Sequence, residues 1–160
     1  MGKPVKPVIR LATPGDAREV AGLIGELNCE IMSALGKDRY TFDQARTMTE
    51  RAEFLEAGDY AIILATSLRG HPLGFVTLFG NPQHRGDPFG TLAELYVRPD
   101  YRRQGVGHRL IERAKSHGRS LRWRQLQLTL PAFARLDAAP AFLDSERFAD
   151  AGRKKRKLSL

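Results

Sequence analysis

Between residues 91 and 130 the order of elements leaves few folds open. An apolar run from Thr91 to Val97 is stopped by Pro99, and after a short polar turn Val106, Leu110, Ile111 and Ala114 recur at helical spacing. His117-Gly118 supplies a stop for that helix, and Leu126 to Leu130 is apolar again. Strand, helix and strand in this order give a right-handed crossover between parallel strands. Upstream, the β-branched runs Ala61 to Thr66 and Leu73 to Phe79 flank Arg69-Gly70-His71-Pro72, whose turn chemistry predicts an antiparallel hairpin. A loop rich in Gly and Pro, Gly80 to Gly90, links the hairpin to the 91–97 run, so that three strands form a meander. The expected fold class is α/β: a mixed, mostly antiparallel sheet with one parallel crossover and flanking helices.

The flanks are consistent with this plan. Val8 to Leu11 reads as a first strand, and Thr13-Pro14-Gly15-Asp16 as a capping box that opens a helix with Val20, Leu23, Ile24 and Leu27 on its buried face. A second box, Thr41 to Gln44, opens a helix on which Ala45, Met48, Ala52 and Leu55 share a face and which Gly58 ends. In the tail, Asp137 to Ser145 predicts a short helix and Gly152 to Leu160 a last strand. At 160 residues without a linker-like stretch, one domain over 1–160 is expected.

With 42% hydrophobic and 28% charged residues the chain can fill a core. No apolar run approaches the roughly 20 residues of a membrane helix, and the N-terminus lacks the apolar region of a signal peptide, so a cytoplasmic location is expected. Cys29 is the only cysteine, which excludes an intrachain disulfide. With no Cys or His cluster beside it, no metal is expected, and it reads as a small, partly buried hydrophobe. The net charge of +8 favours an anionic partner. Nine Lys and Arg lie between Arg98 and Arg124, against Asp100 and Glu112, and Arg153 to Lys157 is wholly basic. If the latter run is a strand, its side chains alternate between faces, and a solvated edge strand explains it more simply than nucleic-acid binding, which is disfavoured.

The segment Glu94 to His108 carries the chemistry. A strand runs through a turn into a helix whose first turn holds Gly105 and Gly107, so backbone N–H groups without helical partners gather at the positive end of the helix dipole. Glycines let a phosphate approach the backbone, and Arg102 and Arg103 add to the attraction. Arg102-Arg103-Gln104-Gly105-Val106-Gly107, preceded by Leu95-Tyr96-Val97-Arg98-Pro99-Asp100-Tyr101, resembles motif A of the GNAT superfamily, the Gcn5-related N-acetyltransferases. The order of elements agrees over nearly the whole chain.

The resemblance implies an enzyme that transfers the acetyl group of acetyl-CoA to a primary amine of a small molecule, peptide or protein by direct attack. The CoA pyrophosphate would lie against the N–H groups of Arg103, Gln104, Gly105, Val106, Gly107 and His108. The pantetheine arm would follow the backbone of Leu95, Tyr96 and Val97, where the family's fourth and fifth strands splay, and an N–H there could stabilise the oxyanion. A homodimer is common in the family. The acceptor would contact residues 28–42, the 80–90 loop and the tail.

Glu94 is the first candidate for general base, directly or through a water. The competing reading is a carboxylate that holds a cationic acceptor or pairs with a nearby Arg. Many family members also carry Ala, two residues, Phe-Tyr, three residues and Gly-Phe, the Tyr protonating the thiolate. Ala139, Phe142 and Phe148 fit, but Leu143 stands at the Tyr position and Arg147 at the Gly position. Leucine cannot donate a proton. The thiolate then leaves unprotonated or takes a proton from water, or another residue substitutes, with Tyr96 and Ser145 nearest in sequence, or catalysis has been lost and the chain is an acyl-CoA-binding module. The four histidines show no metal spacing, and Trp123 is read as packed on the core.

Overall fold

A computed structural model describes residues 6–37, 41–57, 60–80, 88–129, 149–150 and 155–160. The elements are β1 (Val8–Leu11), α1 (Ala17–Ala34), α2 (Gln44–Ala57), β2 (Tyr60–Thr66), β3 (Pro72–Gly80), β4 (Phe89–Val97), α3 (Val106–Ser120), β5 (Gln125–Thr129), β6 (Ala149–Asp150) and β7 (Lys155–Ser159). Short 3-10 turns at Pro14–Asp16 and Pro99–Tyr101 precede α1 and α3. The described strands form one sheet in the order β1-β2-β3-β4-β5-β7-β6, with β4 and β5 parallel and every other pair antiparallel. This is the expected mixed sheet with its single crossover.

Both faces of the sheet are covered, which is why the central strands read as unbroken apolar runs. Along β2, Ile62 and Leu64 join Val20, Leu23, Ile24 and Leu27 of α1, together with Phe75 and Tyr96. Ile63 and Ala65 face the other way, into a cluster with Val106, Leu110, Ile111 and Ala114 of α3 and Leu126, Leu128 and Leu158 beyond. Each of the buried Val, Leu and Ile side chains among them contributes about 1.5–3 kcal/mol by leaving water.

Several local expectations are corrected. The first helix begins at Ala17 because Pro14–Asp16 winds as a 3-10 turn, in which the Thr13 N–H donates to Asp16 Oδ2 at 2.8 Å. Asp43, not Thr41, serves the start of α2, accepting the Arg46 N–H at 3.0 Å. Ala45 and Met48 are exposed, whereas Ala52 and Leu55 are partly buried as expected, together with Thr47, Glu50 and Arg51, so α2 turns a partly polar flank inward. Gly118 does not stop α3, which runs on to Ser120 and closes with Arg122 at φ 62°. There the Trp123 N–H donates to the Gly118 carbonyl at 2.9 Å and the Arg122 N–H to that of Arg119 at 3.0 Å. A Cβ at Gly118 would lie 2.9 Å from the Trp123 ring, so this glycine makes room for packing. Trp123 does pack on the core, as expected. The basic run is not an edge strand, because β7 lies between β5 and the two-residue β6. Cys29 is exposed rather than partly buried. Gly58, the 137–145 helix, Ala139, Phe142, Leu143, Ser145, Arg147 and Phe148 lie outside the described residues.

Candidate functional site

The site starts from a one-residue irregularity. Thr77 of β3 pairs with Glu94 of β4 but Leu78 pairs with Leu92, so Ala93 is an extra residue that bulges β4. The parallel ladder to β5 runs from Phe89↔Gln125 to Leu92↔Leu128 and ends at the bulge. From Glu94 to Val97, β4 stays paired with β3, while its β5 side has no strand partner among the described residues. The backbone of Leu95, Tyr96 and Val97 thus edges an open seam in the sheet. The Val97 carbonyl is already engaged, accepting from Arg102 Nε at 2.8 Å.

Beyond the seam the chain turns through Pro99–Tyr101, with Arg103 at φ 63° and Gly105 at φ 83°. The Arg109 N–H donates to the Gly105 carbonyl at 3.1 Å. N–H groups before that bond have no helical carbonyl one turn back. Arg103, Gln104, Gly105, His108 and Arg109 are exposed, whereas Val106 is buried and anchors the helix start in the core. A Cβ built on Gly105 would meet nothing within 4 Å, so the space above this turn is open. Gln104 Nε2 donates to the Asp100 carbonyl at 3.0 Å and holds the turn in shape.

Arg102 departs from its expected place. Its guanidinium makes a two-pronged pair with Glu30 at 2.9 and 2.8 Å and lies 5.6 Å from the centre of the Tyr96 ring. It therefore ties α1 to the turn, and of the two arginines only Arg103 is exposed. Arg98 makes an equivalent tie to Glu26, at 2.7 to 3.2 Å, and donates to the Pro72 carbonyl. The two carboxylates were missed in the sequence, although their spacing of four on one helix puts them on one face.

Glu94, Tyr96 and Arg98 alternate onto the α1 and α2 side of β4. Glu94 Oε1 accepts from Arg51 Nη1 at 2.6 Å, and both side chains are about four-fifths buried, 19% and 18% exposed. The same Nη1 donates to the Tyr60 hydroxyl, which lies 3.4 Å from Thr77 Oγ1 at the bulge. Burial pushes the Tyr60 hydroxyl up from its ordinary pKa. Glu94 is thus paired with an arginine, and Arg51 was the residue that sequence reasoning missed. Tyr96 is buried at 5% exposure. Its hydroxyl sits 3.4 Å from Glu26, and burial first, then Glu26 and Glu30, push it up to about 12. No helix among the described residues is long and apolar enough to cross a membrane.

Known proteins give this geometry a context. Residues 29–138 match the sequence model of the acetyltransferase (GNAT) family. No curated protein matches the chain in sequence. Among solved structures, an aminoglycoside N-acetyltransferase, AAC(6')-Iy in complex with CoA, superposes with TM-score 0.75 at 16% identity, over 96% of this chain and 94% of its own. A ribosomal-protein-alanine N-acetyltransferase from Brucella melitensis biovar Abortus 2308 gives 0.67 at 22%, over 92% and 94%. A transcriptional regulator from Bacillus halodurans C-125 gives 0.74 at 18%, over 92% and 96%. At these identities the likeness is one of fold.

Proposed function

Because this chain belongs to the acetyltransferase (GNAT) family, we propose that it is a single-domain N-acetyltransferase that binds acetyl-CoA across the β4–β5 seam and the 103–108 turn. The observation that carries the reading is the coincidence of two features. The ladder between β4 and β5 ends at Leu92↔Leu128, and the open Gly105 turn follows within the same connection. Of the solved structures with this fold, the aminoglycoside N-acetyltransferase holds CoA. The residues fit such a group: a strand edge without a strand partner among the described residues for an amide-bearing arm, and an N–H-rich, cationic helix start for its diphosphate.

Acetyl-CoA supplies an activated thioester, and the rest falls to the chain. Leu95 to Val97 and the Arg103–His108 turn bind and orient it, with backbone N–H groups of the seam directed at the carbonyl oxygen. The amine is positioned on the α1 and α2 side of β4. Glu94, fixed by Arg51 through Oε1, takes the amine proton at Oε2, directly or through a water. Cytoplasmic location and a homodimer belong to the same reading. Leu143, which cannot donate a proton to the departing thiolate, favours a second reading, an acyl-CoA-binding module without turnover.

Calorimetric titration with acetyl-CoA of the native protein and Gly105→Val tests the proposal. The left-handed φ of 83° makes valine cost about 1–2 kcal/mol of stability, and the fold should survive because a Cβ at this exposed position meets nothing within 4 Å. Binding by the native protein, lost in the folded variant, is expected. Equal binding by both removes the 103–108 site. Acceptor-dependent release of CoA separates the enzyme from the non-catalytic module.

A further inference from the structure

Among the described residues, the three carboxylates set between β4 and helices α1 and α2 are each held by an arginine. Glu94 is held by Arg51 at 2.6 Å, Glu26 by Arg98 at 2.7 Å and Glu30 by Arg102 at 2.8 Å. A site built for a polycationic amine needs surplus carboxylate, because the field of an ion pair falls off steeply when both charges are in contact. Here the carboxylate nearest the bulge, Glu94, is neutralised before any acceptor arrives.

Arg51 also has donor capacity left. Both of its bonds to described residues use Nη1, to Glu94 and to the Tyr60 hydroxyl, so among the described residues Nη2 and Nε–H have no acceptor and suit a planar anion. Beside it the Tyr60 ring is flanked by Phe54 at 5.4 Å and Phe79 at 4.6 Å. Phe54 and Phe79 are 46% and 37% exposed, which gives the place an apolar wall.

Resting on the acetyltransferase reading above, we propose that Arg51 is a specificity-determining residue and that the acceptor is an amine with an apolar body and a carboxylate, held by Arg51 against the Phe54–Tyr60–Phe79 wall, rather than a polyamine or aminoglycoside. The carboxylate meets Nη2 and Nε–H of Arg51 while Glu94 faces the amine. An amide in place of the carboxylate loses one charge-assisted pair, and a polycation finds no unpaired carboxylate among Glu26, Glu30 and Glu94.

The test measures acceptor-dependent CoA release with phenylalanine, Gly-Phe, the C-terminal amide of each, and spermidine, after acetyl-CoA binding has been measured separately by calorimetry. At least one free acid should have a KM about tenfold below that of its amide, with little change in kcat, and spermidine should be the poorest acceptor. Arg51→Gln should abolish the acid-over-amide preference without altering acetyl-CoA binding. Arg51→Lys, which keeps the charge opposite Glu94 and so the fold, should retain part of it. Equal use of acids and amides, spermidine as the best acceptor, or no turnover of any of them by protein that binds acetyl-CoA overturns the proposal. Absence of acetyl-CoA binding instead refutes the acetyltransferase reading beneath it.

Discussion

Gly90→Ala should be among the most damaging single-methyl changes in the chain. Gly90 lies in β4 between Gly80 of β3 and Leu126 of β5, and its Cβ would come within 2.1, 2.2 and 2.6 Å of three atoms of the Trp123 ring. The indole already packs close to two other glycine backbones, since a Cβ at Gly118 would lie 2.9 Å from it and one at Gly80 3.4 Å, and this limits its retreat. Overpacking against a fixed aromatic costs about 3 kcal/mol, the upper part of the usual range. Removing the ring, Trp123→Ala, costs a similar amount, about 3 kcal/mol, since the ring is only partly buried. The double variant has no ring for the methyl to strike, so its total should also be about 3 kcal/mol rather than about 6, a coupling of about 3. With an m-value of about 1.5 kcal/mol/M, each single variant shifts the urea midpoint down by about 2 M, and the double variant no further. Because Trp123 is the only tryptophan, circular dichroism rather than fluorescence should follow the transition. Costs that add to within about 0.5 kcal/mol would refute the wedge of Trp123 against β4.

Three further outcomes are expected. Glu30→Gln frees Arg102 from its two-pronged pair; acetyl-CoA affinity measured by calorimetry should fall about three- to tenfold, while urea stability changes by less than about 1 kcal/mol for this partly exposed pair. Glu94→Gln should lower kcat roughly a hundredfold and leave the acetyl-CoA Kd unchanged. Asp16, held chiefly by its hydrogen bonds with Arg10, has its pKa drawn from 3.8 down to about 2. A depressed folded value stabilises above the unfolded one and is lost as pH falls through the folded one, so the contribution should disappear between about pH 4 and 2. Discounted for an Arg10 side chain that is 45% exposed, it amounts to about 1 kcal/mol, visible as a shallower acid-side loss of stability in Asp16→Asn.

What could be read in the chain beforehand was governed by the range of the forces involved. Ile62 to Ala65 and Leu73 to Leu78 are buried on both faces, and such runs declare central strands without any partner being known. The glycine turn was equally legible, because Gly105 at φ 83° answers to a local backbone need. The second helix was misjudged: Ala45 and Met48 look like a core face, but the long-range pair of Arg51 with Glu94, 43 positions away, sets which flank turns inward. Arg102 was misplaced for the same reason, its partner Glu30 being 72 positions upstream. Gly118 read as a stop because nothing nearby in sequence reveals that Leu160 and Trp123 close on it.

The bulge at Ala93 has a mechanical consequence as well as a chemical one. It leaves β5, β7 and β6 joined to the rest of the sheet through four residue pairs, Phe89↔Gln125 to Leu92↔Leu128, with α3 packed across both parts. Amide protons of β5 and β7 should then exchange together, and sooner than those of β2 and β3, as one cooperative unit of lower opening energy. A ligand lying along the seam would bridge the two parts and slow that exchange. The defect that interrupts the sheet would then make the sheet report on a ligand bound there.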